Sequence, residues 1–156
     1  NKRIYHMPLY LETPCVKPKD ACFNKASDIA EIYNQFTNPN LKVCIDTAHL
    51  WGSGVNISSY QDAKNWLHEL DTLAPNVKND IVLHLNDSTR KLGCGNDKHA
   101  PLFYGDIWGA FKDDKKQSGA YCFIQYAIKN KIYMILERPD KEMIQFDIPV
   151  MKELLN

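Results

Sequence analysis

The chain has 156 residues, with 19 basic and 19 acidic side chains that give a formal net charge of zero. Its content of 44% hydrophobic and 24% charged residues is close to the globular average, which argues against disorder and collagen-like repeats. No apolar stretch approaches the roughly 18 residues of a membrane span, and the neutral charge removes the simplest argument for binding a polyanion.

Four short apolar runs predict β-strands along the chain. The runs are continuous rather than alternating, which is typical of parallel strands that are covered on both faces. They lie at Leu9–Leu11, Val43–Ile45, Ile81–Leu85 and Tyr133–Leu136.

Helical patterns follow these runs. The clearest begins at Ser59, where Ser59 and Asp62 resemble a capping box. A shorter helix is predicted over Asp28–Phe36, another over Ser118–Lys129, and a last one starting near Asp147. The order βαβαβαβα implies a parallel sheet with right-handed crossovers. Four such units make either a small open α/β sheet or half of an eight-fold barrel, which typically needs about 250 residues.

Every predicted strand ends at a potential metal ligand. Glu12 follows the first strand, Asp46 the second and Glu137 the fourth, while His84 lies near the end of the third. One such residue alone is usually a helix cap, a loop residue or a core histidine. Four of them at the carboxyl ends of parallel strands, where active sites of α/β folds lie, predict a cation site.

Two further spacings add candidate ligands. His49 lies three residues after Asp46, where the second strand is expected to turn into a loop. Asp97 and His99 alternate in a glycine-containing loop, so that both side chains can reach one ion. Mixed Asp, Glu and His ligation suits zinc, manganese or iron. Because seven candidates exceed the three or four protein ligands of one zinc site, the sequence predicts a multinuclear centre.

The remaining histidines and cysteines carry no comparable pattern. His6 and His68 are expected to be surface or packing residues, and Cys94 is an eighth potential ligand, although an ordinary loop thiol is the simpler interpretation. Five cysteines without a Cys-x-x-Cys pair argue against a disulfide framework. We therefore expect an intracellular, reducing compartment, cytoplasmic or nuclear.

These residues resemble the endonuclease IV family of apurinic/apyrimidinic (AP) endonucleases, with matching order and spacing over nearly the whole chain. The stretch 46–60 is especially similar to the branch found in large DNA viruses, for which a viral factory or virion is the expected location. The matching motifs are Tyr10–Pro14, Cys44–His49, His84–Asp87, Gly93–His99 and Ile135–Glu137.

The resemblance implies a TIM-type (β/α)8 barrel with three zinc ions at its top, for which manganese is a possible substitute. Residues 1–156 would form the C-terminal half of a single barrel domain, and the N-terminal half would be absent from this chain. By resemblance, Glu12 would bridge the first two zinc ions, Asp46 and His84 would hold the second, Glu137 would complete this dinuclear pair, and His49, Asp97 and His99 would bind the third.

The activity implied by the resemblance is cleavage of the phosphodiester 5′ to an abasic site in duplex DNA, during base excision repair. Zinc would activate the attacking water, and either Glu12 or Glu137 would orient or deprotonate it. Three dications would outweigh the four carboxylates of the site, which answers the objection from the neutral chain. Further phosphate contacts are expected from loops, and the weak candidates are Lys91, Lys98, Trp51 and Tyr104.

The chain departs from the family pattern at its start. Family members carry two further zinc-binding histidines on earlier strands, together with loops that enter the DNA. A half barrel also leaves two edge strands unpaired, which is an aggregation hazard. We expect the missing half-barrel to be supplied in cis or in trans, and this half alone to be weak or inactive.

Two alternatives stay open. A sugar isomerase or epimerase on the related barrel holds one manganese-like ion, and Glu12, Asp46, His84 and Glu137 would serve it equally well. The additional set of His49, Asp97 and His99 favours the nuclease. The second alternative is a non-catalytic, metal-stabilised binding fragment, which predicts no cleavage even when the missing half is restored.

Overall fold

Six β-strands lie in the part of the chain that the computed structural model describes, residues 7–155. Their bounds are Leu9–Glu12 (β1), Leu41–Asp46 (β2), Ile81–His84 (β3), Asp87–Ser88 (β4), His99–Ala100 (β5) and Tyr133–Ile135 (β6). Four strands form a parallel sheet in the order β1-β2-β3-β6, while β4 and β5 form a short antiparallel pair. The four predicted strands are confirmed. His6 lies outside the described residues.

Five α-helices accompany the strands within residues 7–155: Ala26–Tyr33 (α1), Thr47–Gly52 (α2), Tyr60–Leu73 (α3), Gly119–Asn130 (α4) and Ile144–Leu155 (α5). The predicted cap of α3 is confirmed, since the Ser59 hydroxyl accepts a hydrogen bond from the backbone N–H of Asp62 at 3.1 Å. Ser118 caps α4 in the same way, and His68 is exposed on α3 as expected. Among the described residues, no helix has both the length and the apolar character needed to span a bilayer.

Two helix boundaries differ from the prediction. Helix α1 occupies Ala26–Tyr33 instead of Asp28–Phe36, because the chain turns after Tyr33 and the Phe36 ring packs edge-on against the Tyr33 ring at 5.6 Å. Helix α5 begins at Ile144 rather than near Asp147. The Asp147 carboxylate is fully buried and binds Arg138 and the backbone of Leu102, so it does not cap its own helix.

The hydrophobic core lies between the sheet and helices α1, α3 and α4. Val43 and Ile45 of β2 are buried in this core together with Leu83 of β3. Because side chains alternate along a strand, Cys44 and Asp46 point to the opposite face of the sheet. The helices therefore cover one face, and the polar strand ends are left on the other.

The expectation that all four strands are covered on both faces is wrong for the two outer strands. Every residue of β1 is exposed, and Tyr133 and Ile135 of β6 are 82% and 44% exposed. These strands occupy the two ends of the sheet, so each lacks a neighbour along its outer edge among residues 7–155. Among the four strands of the parallel sheet, burial is continuous only along the second part of β2, Val43–Asp46.

Candidate metal centre

The parallel register brings the predicted ligands to one level at the carboxyl end of the sheet. Glu12 is the last residue of β1 and lies opposite Cys44, while Asp46, the last residue of β2, lies opposite His84. His84 in turn lies opposite Ile135 of β6, two residues before Glu137. The ends of all four parallel strands therefore face one common volume.

The first group of ligands surrounds His84. Its Nδ1 atom lies 3.0 Å from Glu12 Oε1, 3.0 Å from Glu137 Oε2 and 3.7 Å from Asp46 Oδ2. One ligand atom from each of these four residues lies within 4.8 Å of all the others. Asp46 is fully buried, whereas the Glu12 and Glu137 side chains are each 41% exposed. The ligand group is therefore closed to solvent at Asp46 and open to solvent at the two glutamates.

His49 lies on helix α2 and not in a loop, which corrects the prediction. The carboxylate of Asp46 caps this helix by accepting a hydrogen bond from the His49 backbone N–H at 3.0 Å. The helix spans only Thr47–Gly52, and six residues are too few to display apolar periodicity in the sequence. The cap fixes the position of Asp46 and His49 relative to each other.

The second group of ligands adjoins the first through Asp46. Asp97 lies between the two imidazoles, with His49 Nε2 3.2 Å from Oδ2 and His99 Nε2 3.0 Å from Oδ1. His99 Nε2 also lies 3.6 Å from Asp46 Oδ2, and Asp46, His49 and His99 form a compact group of potential ligands. Asp46 therefore borders both groups, whereas the family resemblance implied a place for it beside His84 alone.

Three histidine nitrogens at these positions are buried without a hydrogen-bond partner: His49 Nε2, His84 Nδ1 and His99 Nε2. Such orphaned atoms are rare and need an explanation. Each nevertheless lies 3.0–3.2 Å from a carboxylate oxygen. Two ligands of a tetrahedral zinc ion lie roughly 3.3 Å apart, so these separations and the donor types fit shared cations.

The local contacts also fix the imidazole of His49. Its Nδ1 lies 2.7 Å from the Thr13 carbonyl, so Nδ1–H donates there and the lone pair of Nε2 faces the site. Burial lowers the pKa of His49, but Asp46, the Thr13 carbonyl and Asp97 outweigh it and raise this pKa. Burial raises the pKa of Asp46. A cation would favour the deprotonated form of both groups.

A buried amide that the sequence argument did not single out as functional supports the carboxylates. Asn86 is fully buried, and its Nδ2 donates to Asp46 Oδ2 at 2.7 Å and Glu137 Oε2 at 3.2 Å. Its Oδ1 accepts from Glu137 N at 3.0 Å and from Arg138 Nη1 at 2.8 Å. The signal in the sequence that could have identified Asn86 and Arg138 is their position close to the predicted ligands His84 and Glu137. Asp147, which binds Arg138, is brought to this region only by the fold.

Two threonines hold the backbone of this region. Thr13 Oγ1 accepts from the Asp46 backbone N–H at 3.0 Å. The Thr47 hydroxyl donates to the Asn86 carbonyl at 2.7 Å and accepts from the Asn86 N–H at 2.8 Å. Both contacts tie the end of β2 to neighbouring strand ends.

Neither nearby cysteine adds a clear ligand. Cys44 Sγ lies near ligand atoms of Glu12 and His84, but burial, followed by the charge of Glu12, raises the pKa of the Cys44 thiol and disfavours the thiolate form that binds metals. The Cys94 thiol donates a hydrogen bond from Sγ to the Asn96 carbonyl at 3.6 Å, and Cys94 belongs to no candidate ligand group of the described residues.

An open cavity of about 540 Å³ lies above the ligands. It is lined by Glu12, His49, Asp97, Lys98, His99, Glu137, Arg138 and Pro139. Of the loop residues considered for phosphate contacts, Lys98 therefore faces the cavity. Trp51 is buried and donates to the Arg90 carbonyl at 2.7 Å, whereas Tyr104 is exposed and packs against Phe146. Lys91 is exposed and does not line the cavity.

Residues 5–146 match the model of a family described as "Xylose isomerase-like TIM barrel". The chain is 42% identical over 141 residues to a "Probable AP endonuclease" of African swine fever virus, covering 88% of this chain and 48% of that protein. It is 31% identical over 118 residues to a "Probable endonuclease 4" of Haloquadratum walsbyi, covering 76% of this chain and 39% of that protein.

Two solved structures have the same fold. The crystal structure of AsfvAP:AG superposes with a TM-score of 0.85 at 37% identity, covering 96% of this chain and 53% of that chain. Endonuclease IV from Thermus thermophilus superposes with a TM-score of 0.69, covering 94% and 49%; at 23% identity it supports the fold alone. The chain spans about half the length of the curated relatives it matches. Its open parallel sheet is thus a partial TIM barrel.

Proposed function

Because this chain belongs to the AP endonuclease 2 family of xylose isomerase-like TIM barrels, we propose that it is half of a zinc-dependent DNA-repair endonuclease. The proposed substrate is duplex DNA with an abasic site, cleaved at the phosphodiester on its 5′ side. The main support for this proposal is that three buried histidine nitrogens without a hydrogen-bond partner converge with carboxylates in two adjoining groups of potential metal ligands.

Two sets of residues would hold the metal ions. Glu12, Asp46, His84 and Glu137 form one set, and His49, Asp97 and His99 form the other, with Asp46 between them. When bound, zinc supplies Lewis acidity that polarises phosphoryl oxygens and lowers the pKa of water. Together with two histidines contributed by the other half-barrel, these sets would complete a three-zinc centre.

Two carboxylates would handle the proton of the attacking water. Glu12 and Glu137 are each 41% exposed and line the open cavity, whereas Asp46 is fully buried. A general base must lie within hydrogen-bond reach of the proton that it takes, so the two glutamates are the candidates for this role. Lys98 lines the same cavity and adds a positive charge that attracts the phosphate.

The chain alone is expected to be weak or inactive. Two of the family's zinc-binding histidines and the loops that enter DNA are expected in the other half-barrel. The exposed strands β1 and β6 are the edges that this half would pair with.

The mononuclear isomerase or epimerase is the competing function. It requires only the Glu12, Asp46, His84 and Glu137 group around one ion. The closely spaced His49, Asp97 and His99 have no task in such an enzyme, and their 3.0–3.2 Å separations favour the multinuclear nuclease.

The test is incision of a duplex oligonucleotide with one abasic site by this chain joined to the complementary half-barrel. We expect a nick on the 5′ side, and a chelator should abolish it. His49→Ala should abolish nicking, whereas His68→Ala, an exposed histidine on α3, should leave it unchanged. Zinc-loaded protein that does not nick the duplex would contradict the proposal. Sugar isomerisation that survives His49→Ala would support the competing enzyme.

A further inference from the structure

A buried ion pair lies behind the carboxylates of the metal site. The Arg138 and Asp147 side chains are 2% and 0% exposed, and they form a two-point contact: Nε donates to Oδ2 at 2.6 Å and Nη2 donates to Oδ1 at 2.9 Å. Replacing a buried ion pair by well-packed hydrophobic residues of similar volume is often harmless to stability. A contribution to stability therefore does not explain why this pair is present. The other contacts of Arg138 indicate a different role.

The remaining guanidinium nitrogen of Arg138 contacts the buried amide of Asn86. Nη1 donates to Asn86 Oδ1 at 2.8 Å and to the Glu137 carbonyl at 2.6 Å. With its oxygen held on this side, the amide must direct its NH₂ group to the other side. A flipped amide would place its oxygen against two carboxylates and leave the guanidinium facing an NH₂ group.

The NH₂ group of Asn86 contacts two proposed metal-ligand oxygens. It donates to Asp46 Oδ2 and Glu137 Oε2, and the same two oxygens lie 3.7 Å and 3.0 Å from His84 Nδ1. A hydrogen bond to a ligating carboxylate fixes its orientation, and loss of such a contact weakens metal binding. The amide therefore determines which lone pairs remain for the cation.

We propose that Arg138 and Asp147 are positioning residues that orient Asn86, and through it Asp46 and Glu137, toward the metal ions. The backbone N–H of Leu102 donates to Asp147 Oδ1 at 2.8 Å and holds this carboxylate in place. Because Asp147 belongs to helix α5, the arrangement links that helix to the metal site. The inference rests on the proposed metal function of the site.

The experiment measures zinc affinity of the whole chain by competition with a chromophoric chelator. The paired variant Arg138→Met with Asp147→Asn leaves no unpaired buried charge, so its fold should be retained, which circular dichroism checks. Zinc affinity should fall about 10- to 100-fold. The matched control is Lys115→Met with Glu153→Gln, which removes another ion pair made by α5, with a separation of 3.1 Å, and should leave the affinity unchanged.

A second measurement tests whether the ion pair and Asn86 act on the metal site through the same amide, with circular dichroism of each variant to exclude a general loss of structure. Asn86→Ala should weaken zinc binding to a similar degree, and adding it to the paired variant should cause little further loss, because both act through the same amide. The inference would be overturned if the losses of zinc affinity multiplied when Asn86→Ala was combined with the paired variant. A paired variant that binds zinc as tightly as the wild type would overturn it as well. A wild-type chain that binds no zinc would instead overturn the proposed metal centre, and the inference with it.

Discussion

Truncation of Asn86 tests how strongly the folded chain depends on one buried amide. Asn86→Ala removes the contacts of this side chain with Asp46, Glu137 and Arg138, at 2.7–3.2 Å, and leaves two or three buried polar groups without a partner. Each such group costs about 1–3 kcal/mol. The free energy of unfolding should therefore fall by about 2–9 kcal/mol, a large part of the total stability of an ordinary domain.

The assay is urea unfolding in metal-free buffer, followed by the fluorescence of the three tryptophans, all of which are buried. Asn34→Ala is the matched control, because this asparagine is exposed and its side chain makes one hydrogen bond, to the Leu73 carbonyl at 3.1 Å. The control should change the stability by no more than about 0.5 kcal/mol. A loss below about 1 kcal/mol at Asn86 would refute the hydrogen-bond roles assigned to it.

Three further predictions follow from the same structure. Zinc at 100 times its dissociation constant should raise the free energy of unfolding by about 2.7 kcal/mol, and thermal melts that do not shift with zinc or chelator would contradict a metal site. Burial raises the pKa of Asp80, but hydrogen bonds from Lys42 and Tyr33 outweigh it and lower this pKa below its ordinary 3.8. Its stabilising contribution is therefore present above pH 3.8 and is lost as the pH falls further. The urea midpoint of Asp80→Asn should accordingly depend less on pH in that acid range than the midpoint of the wild type. Gly119→Ala should destabilise the chain by about 1–3 kcal/mol, because its Cβ would overlap the Ile57 carbonyl oxygen; Gly109→Ala, whose nearest neighbour is 3.9 Å away, is the control for the same unfolding measurement.

The strand ends could be predicted from the sequence because each short apolar run stops at a ligand-type residue. In a parallel sheet these stops share one edge, and the observed pairing of Asp46 with His84 follows directly. Helix α2 could not be predicted in this way, since its only local signal is the Asp46 cap over six residues. The exposure of β1 also lies outside any local pattern, because it depends on which strand lies beside it.

The residues that support the ligands were harder to find. Asn86 and Arg138 adjoin predicted ligands, but an asparagine or an arginine after a strand has many ordinary roles. The sequence predicts a helix start near Asp147 because an acidic residue before an apolar helical pattern is a common capping signal. Its contact with Arg138, nine residues away in the sequence, depends on the path of the intervening turn and on the burial of both groups.

The metal content of this chain joined to a complementary half-barrel tests the proposed multinuclear zinc centre most directly. Mass spectrometry of the purified protein for all first-row metals gives the identity and the number of bound ions together. We predict three zinc ions per polypeptide, with fewer in a His49→Ala variant. One ion per polypeptide, unchanged by His49→Ala, would contradict the nuclease centre and favour the mononuclear isomerase.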